Sequence, residues 1–204
     1  ESVDVGREML QAGLKFRERG VVGADLCGNE IGFPADPFVD IFAEARAAGL
    51  GITIHGGEWA GHENVRHAIK HIQTDRVGHG VRAVEDSETL QLSIDSNVFF
   101  EVCPTSNLQT GVTTTLEQHP LIDLHFLKAN VTINTDDPSI HDVTLTDEYA
   151  LIVQGLHLPL SYLKTCLLNS VQCSFLPDSE KQQLLHELEP ELQKLDPLVP
   201  QTEP

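Results

Sequence analysis

GITIHGGEWAGHENVRHAIKHIQTDRVGHG, residues 51–80, decides the fold. It opens on a short β-rich run, GITI (51–54), passes through a helical stretch over residues 62–73, and closes on a second run, RVGH (76–79). Two short strands joined through a helix make a βαβ unit, because parallel neighbours cannot be linked by a tight turn.

The same rhythm extends in both directions. Upstream, VVGADL (21–26) is bounded by Gly20 and Gly28, and residues 36–48 predict a helix with Asp36 as N-cap, Pro37 first and Gly49 as the stop. Residues 1–19 predict a helix with Val5, Met9, Leu10, Leu14 and Phe16 on its apolar face. Downstream come a helix over 87–95, the strand NVFFEVC (97–103), a short helix over 119–128 and the strand NVTINT (130–135). After Pro138 the pattern is all-helical, over 144–156, 160–175 and 178–195, with Asp178 or Ser179 capping the last; the proline-rich DPLVPQTEP (196–204) is expected to fray. Strand–helix alternation predicts an α/β fold with a parallel sheet, and an open doubly wound sheet and a (β/α)8 barrel both satisfy it. No GxGxxG follows a strand and no GxxxxGK[ST] occurs, which argues against a nucleotide-binding Rossmann or P-loop fold.

Composition narrows the partners. Thirteen Lys and Arg against 31 Asp and Glu leave a net charge of −18 across 204 residues, a surface that repels nucleic acid and anionic membranes. No apolar run approaches the ~18 residues of a membrane-spanning helix. Four scattered cysteines (Cys27, Cys103, Cys166, Cys173) form no CxxC pair and fit reduced core thiols. A cytoplasmic location is the expectation.

Chemistry gathers at the C-terminal ends of the strands. VVGAD ends at Asp25 and leads into Leu26-Cys27-Gly28-Asn29-Glu30; GITI runs into His55-Gly56-Gly57-Glu58; RVG ends in His79-Gly80; VFFEVC carries Glu101 and leads into Pro104-Thr105-Ser106-Asn107; VTINT ends in Asp136-Asp137-Pro138. In parallel α/β folds that edge is where active sites are built. Imidazole plus carboxylate suits Zn2+, and His55 and Asp136 are the natural ligands. Glu58, beyond the strand, is placed for general acid/base work, and His79 to orient or deprotonate the attacking water. Asp137, next to a ligand, points to another part of the pocket. Taken singly, Asp136-Asp137-Pro138 reads as a helix cap and turn; the coincidence of five strand ends favours a site. His62, His67 and His71 read as a solvated helix face.

Five segments, GADLCGNEIGFP (23–34), TIHGGEWAG (53–61), RVGHG (76–80), EVCPTSNLQTG (101–111) and INTDDPSI (133–140), resemble motifs of the adenosine deaminases, a family of metal-dependent amidohydrolases, in the family's order. The resemblance implies the C-terminal part of a (β/α)8 TIM-type barrel with additional C-terminal helices, one domain over residues 1–195. It implies one Zn2+ per active site, with His55 and Asp136 among its ligands. Glu58 would protonate the purine ring nitrogen beside the attacked carbon, and His79 would position and deprotonate the water. The Gly28 N–H would bond another ring nitrogen, and Asp137 the imidazole part of the purine. The implied reaction converts adenosine, and deoxyadenosine, to inosine and ammonia; the implied partner is a small-molecule purine nucleoside, with no nucleic acid and no membrane.

Cys27 and Asn29 depart from the family's usual Ala and Asp. The family also supplies two zinc-binding histidines from an H-x-H motif at the end of its first strand, and no H-x-H precedes Asp25 here. The expectation is therefore that a missing N-terminal half of the barrel is needed for a complete site, and that the 204-residue chain alone is weakly active or inactive. The alternatives are a non-catalytic binding fragment, or an amidohydrolase acting on adenine or another purine derivative.

Overall fold

The computed structural model describes residues 2–195, so the tail expected to fray (196–204) lies outside the described residues. Five strands, β1 (Gly23–Leu26), β2 (Gly51–Gly56), β3 (Arg76–His79), β4 (Phe99–Val102) and β5 (Val131–Ile133), follow one another across the sheet in chain order. The ladders from β1 through β4 are parallel, with Gly23 opposite Gly51, Thr53 opposite Arg76 and Arg76 opposite Phe99. A doubly wound sheet reverses direction at a switch point, whereas barrel strands pair in sequence, so the order is that of a (β/α)8 segment. The chain divides by its contacts into two compact units between Glu101 and Val102.

In the first unit, α1 (Val3–Leu14) is capped by Ser2, whose Oγ accepts the Val5 N–H, and α2 (Val39–Ala47) lies on β1 and β2. Helix α3 (His62–His67) continues into a wider π-type turn over Ala68–Ile72, and α4 (Ser87–Asp95) starts from Asp86, whose carboxylate accepts the Thr89 N–H at 2.7 Å. Ile52, Ile54, Val77 and Phe100 on the strands and Val65 on α3 are fully buried. Each such side chain contributes about 1.5–3 kcal/mol on leaving water. Helices and strands are joined through a left-handed residue at Gly49, Gln73, Asn97 and, in the second unit, Lys128. Only the glycine announces itself in the sequence.

In the second unit, α5 (Pro104–Gln109) and α6 (Leu121–Phe126) precede β5, whose ladder to the end of β4 includes the Asn134 N–H donating to the Val102 carbonyl at 2.9 Å. Four further helices follow: α7 (Pro138–His141), α8 (Leu145–Ala150), which widens into a π-type turn over Leu151–Gly155, α9 (Leu160–Gln172) and α10 (Asp178–Gln193). Asn169 of α9 donates Nδ2–H to the Val131 carbonyl at 2.8 Å, tying that helix to β5.

Three local expectations are corrected. Asp36 does not cap α2: it begins a 3-10 turn, Asp36–Phe38, and its carboxylate faces His67 at 3.2 Å. The stretch after β4, for which the sequence predicts no element, is a helix whose first position Pro104 takes, where its missing N–H costs nothing. The cap position of α10 is Pro177, with Asp178 inside the first turn. The histidine face of α3 is only partly solvated, since His62 lies 3.4 Å from Thr89 Oγ1 and the His67 and His71 rings stack with centroids 4.9 Å apart. Cys103 and Cys166 are buried as core thiols, Cys27 is exposed, and none of the four is in a disulfide. No helix among the described residues is long and apolar enough to cross a membrane.

One buried histidine sets an acid limit. His119 accepts the Leu121 N–H at Nδ1 (3.0 Å) and faces Asn107 Oδ1 with Nε2 (3.3 Å), a pairing that only the neutral ring protonated at Nε2 satisfies. Burial lowers its pKa from the ordinary 6.5 to about 4. Above 6.5 both folded and unfolded chains carry it neutral. Below that the unfolded chain takes up a proton that the folded one refuses until about 4, so this contribution to stability is lost as pH falls through that window. The loss is about 3 kcal/mol. Urea unfolding at pH 7 and pH 4.5 checks it: His119→Gln flattens the difference between the two, and an unchanged difference refutes the assignment.

Candidate active site

Parallel pairing in register brings the ends of β2 and β3 side by side: His55 lies opposite Gly78 and Gly56 opposite His79. Three predicted residues meet there. Ligand atoms of His55, Glu58 and His79 all lie within 4.8 Å of one another. His79 Nε2 is 3.4 Å from Glu58 Oε2, and the two imidazoles approach edge-on, with centroids 5.2 Å apart and planes at 76°. Asp25, at the end of β1, places Oδ2 3.4 Å from His55 Nε2. Glu58 and His79 are buried, so their interaction is screened little by water, while His55 is half-buried and Asp25 exposed.

The close approach of the His55 ring depends on Gly78. A Cβ there would stand 2.4 Å from His55 Cδ2 and 2.8 Å from Nε2, inside any permitted contact. His79 itself holds a left-handed backbone, φ 61°, as does Asp136 of the second unit, φ 57°. Histidine and aspartate are among the few side chains that tolerate this region, and such residues cluster at functional sites.

The loop carrying Glu58 is held by Glu30, to which sequence reasoning gave no role. One Glu30 oxygen, Oε1, accepts the backbone N–H groups of Glu58 (2.7 Å), Trp59 (2.6 Å) and Ala60 (2.9 Å). The other, Oε2, accepts the Gly57 N–H and an Asn64 amide N–H, both at 2.9 Å. Arg82 completes the frame, donating Nε–H to the Glu58 carbonyl and its own N–H to the Gly57 carbonyl, each at 3.0 Å. Gly57 is left-handed (φ 66°), and a Cβ on it would meet Val65 Cγ2 at 2.5 Å.

Gly28 is exposed and, with Asp25, Cys27, Glu30 and His55, lines a cavity of about 590 Å3 in the first unit. Glu101 on β4 is taken by Arg76, whose Nε lies 3.2 Å from Oε1; burial nevertheless pushes its carboxyl pKa up. In the second unit, Asp136 accepts the Ser106 hydroxyl at 2.7 Å and lies 3.9 Å from His141 Nε2. Asp137 stands at the cap position of α7, and its carboxylate makes no capping hydrogen bond. Glu148, fully buried and with its pKa raised by that burial, accepts the Thr105 N–H at the start of α5.

Comparison with known proteins shows the family and the fold. A family model described as adenosine deaminase matches residues 1–191. The adenosine deaminase of Serratia proteamaculans is 39% identical over 174 residues, which are 84% of this chain and 52% of that protein. The chain thus spans about half the length of the curated relatives it matches. Among solved structures, an adenine deaminase from Arthrobacter aurescens superposes with a TM-score of 0.87 at 29% identity, covering 94% of this chain and 58% of its own. A zinc-bound amidohydrolase from Burkholderia ambifaria superposes with a TM-score of 0.90 at 26% identity, covering 97% and 56%.

Proposed function

The chain belongs to the adenosine deaminase family, and on that premise we propose that the protein hydrolytically removes the amino group of a purine, with adenosine as the favoured substrate and inosine and ammonia as products. The observation that carries the reading is the convergence of His55, Glu58 and His79 at the ends of β2 and β3.

His55 and Asp136 are the residues we assign to hold one Zn2+: imidazole and carboxylate are donors this ion favours, His55 has the Asp25 carboxylate 3.4 Å from Nε2, and Asp136 accepts the Ser106 hydroxyl. When bound, Zn2+ supplies Lewis acidity that makes hydroxide available near neutral pH. Glu58 delivers a proton to the ring nitrogen beside the attacked carbon, which makes that carbon electrophilic. His79 orients the attacking water and takes its proton, and the Glu58 carboxyl 3.4 Å away is placed to pass a proton onward as ammonia leaves. The Gly28 N–H bonds a second ring nitrogen, and Asp137, unused by its helix, bonds the imidazole part of the purine.

Product analysis on the purified gene product tests this with adenosine, adenine and adenosine monophosphate. Adenosine is expected to give inosine and ammonia, with turnover abolished by a chelator and restored by zinc. Preferential ammonia release from adenine or the monophosphate would move the substrate assignment to that purine. No ammonia from any of the three, with zinc supplied, would overturn the reading.

A further inference from the structure

We propose that Glu30 is the positioning residue of the proton donor Glu58: a carboxylate seated in a nest of four consecutive backbone amides that fixes where the Glu58 side chain starts. This rests on the deaminase reading and deepens it.

Residues 57–60 all turn their N–H groups onto one carboxylate, at 2.6–2.9 Å. Consecutive amides converge on an anion in nest and turn conformations, and the left-handed Gly57 opens such a turn. The nest binds an anion, and the bonds are charge-assisted, the stronger kind. Both polar backbone groups of Glu58 are thereby engaged, its N–H by Glu30 and its C=O by Arg82. Because β2 ends at Gly56 and α3 begins at His62, neither a strand ladder nor a helix holds this loop. Glu30 supplies the missing restraint from 27–30 residues upstream. A proton donor must meet its acceptor within a few tenths of an ångström in the transition state, and misplacement by about 1 Å costs on the order of 100-fold in rate.

Glu30→Gln keeps the shape, removes the charge and turns an NH2 group toward amide donors. It is expected to lower kcat for adenosine about 10- to 100-fold while KM moves far less. Glu30→Ala empties the nest, and added formate, a carboxylate small enough to occupy it, is expected to restore turnover saturably. Hydrogen exchange reads the same clamp without activity: amides 57–60 are expected to exchange about 10- to 100-fold faster in Glu30→Gln and unchanged in Glu58→Gln. Wild-type kcat per folded molecule in Glu30→Gln, or unchanged exchange at 57–60, overturns the proposal. If the unaltered protein deaminates no purine while the exchange result holds, the deaminase reading fails and the loop anchor stands.

Discussion

Glu58→Gln is expected to lower kcat for adenosine deamination by at least about 100-fold, with KM changed far less. Glutamine matches the side chain in shape and keeps one acceptor, so packing against His79 survives. What it lacks is a proton of suitable acidity. The purine carbon is unreactive toward hydroxide until the adjacent ring nitrogen is protonated, so the loss falls on the chemical step rather than on binding. The loop itself is anchored through backbone groups that the substitution leaves in place, so melting temperature should hardly move. Steady-state kinetics beside a thermal melt decide the matter, and a Gln variant with wild-type turnover would remove Glu58 from the reaction.

Gly78→Ala is expected to damage the site through a residue that takes no part in the chemistry. The added methyl would lie 2.4 Å from His55 Cδ2, so either the imidazole tilts away or the β2–β3 ladder opens. Overpacking of this kind costs about 1–3 kcal/mol of stability. If His55 serves the metal as proposed, displacing its imidazole should weaken zinc binding about 10- to 100-fold, the scale on which ligand orientation matters. Zinc competition against a chromogenic chelator and a melting curve read the two effects separately. Unaltered zinc affinity would mean that His55 does not serve the metal in its observed orientation.

Much of this was legible in the chain itself. β3 and α4 stand where the sequence predicts them, at residues 76–79 and 87–95, the latter following an aspartate cap. The strand ends that carry His55, Glu58 and His79 were readable because parallel strands deliver functional residues at one edge. Helix α5 was hidden because Pro-Thr-Ser-Asn favours loops, and only the first-turn position of Pro104 makes it helical. The π-type widening after α3 leaves no mark, since one extra residue in a turn alters neither composition nor period enough to see. Glu30 was invisible for a different reason. Four of its partners are peptide N–H groups 27–30 residues away, and a peptide group carries no side-chain identity for a pattern to catch.

The left-handed backbones of His79 and Asp136 restrict which amino acids can ever replace them. A β-branched residue is refused at either place by its own main chain, before proton transfer or metal binding is in question. Asparagine rests there comfortably yet brings neither imidazole nor carboxylate. In saturation mutagenesis at these codons, Asn and Gly variants are therefore expected to keep the melting temperature of the parent, and Val or Ile variants to lose it.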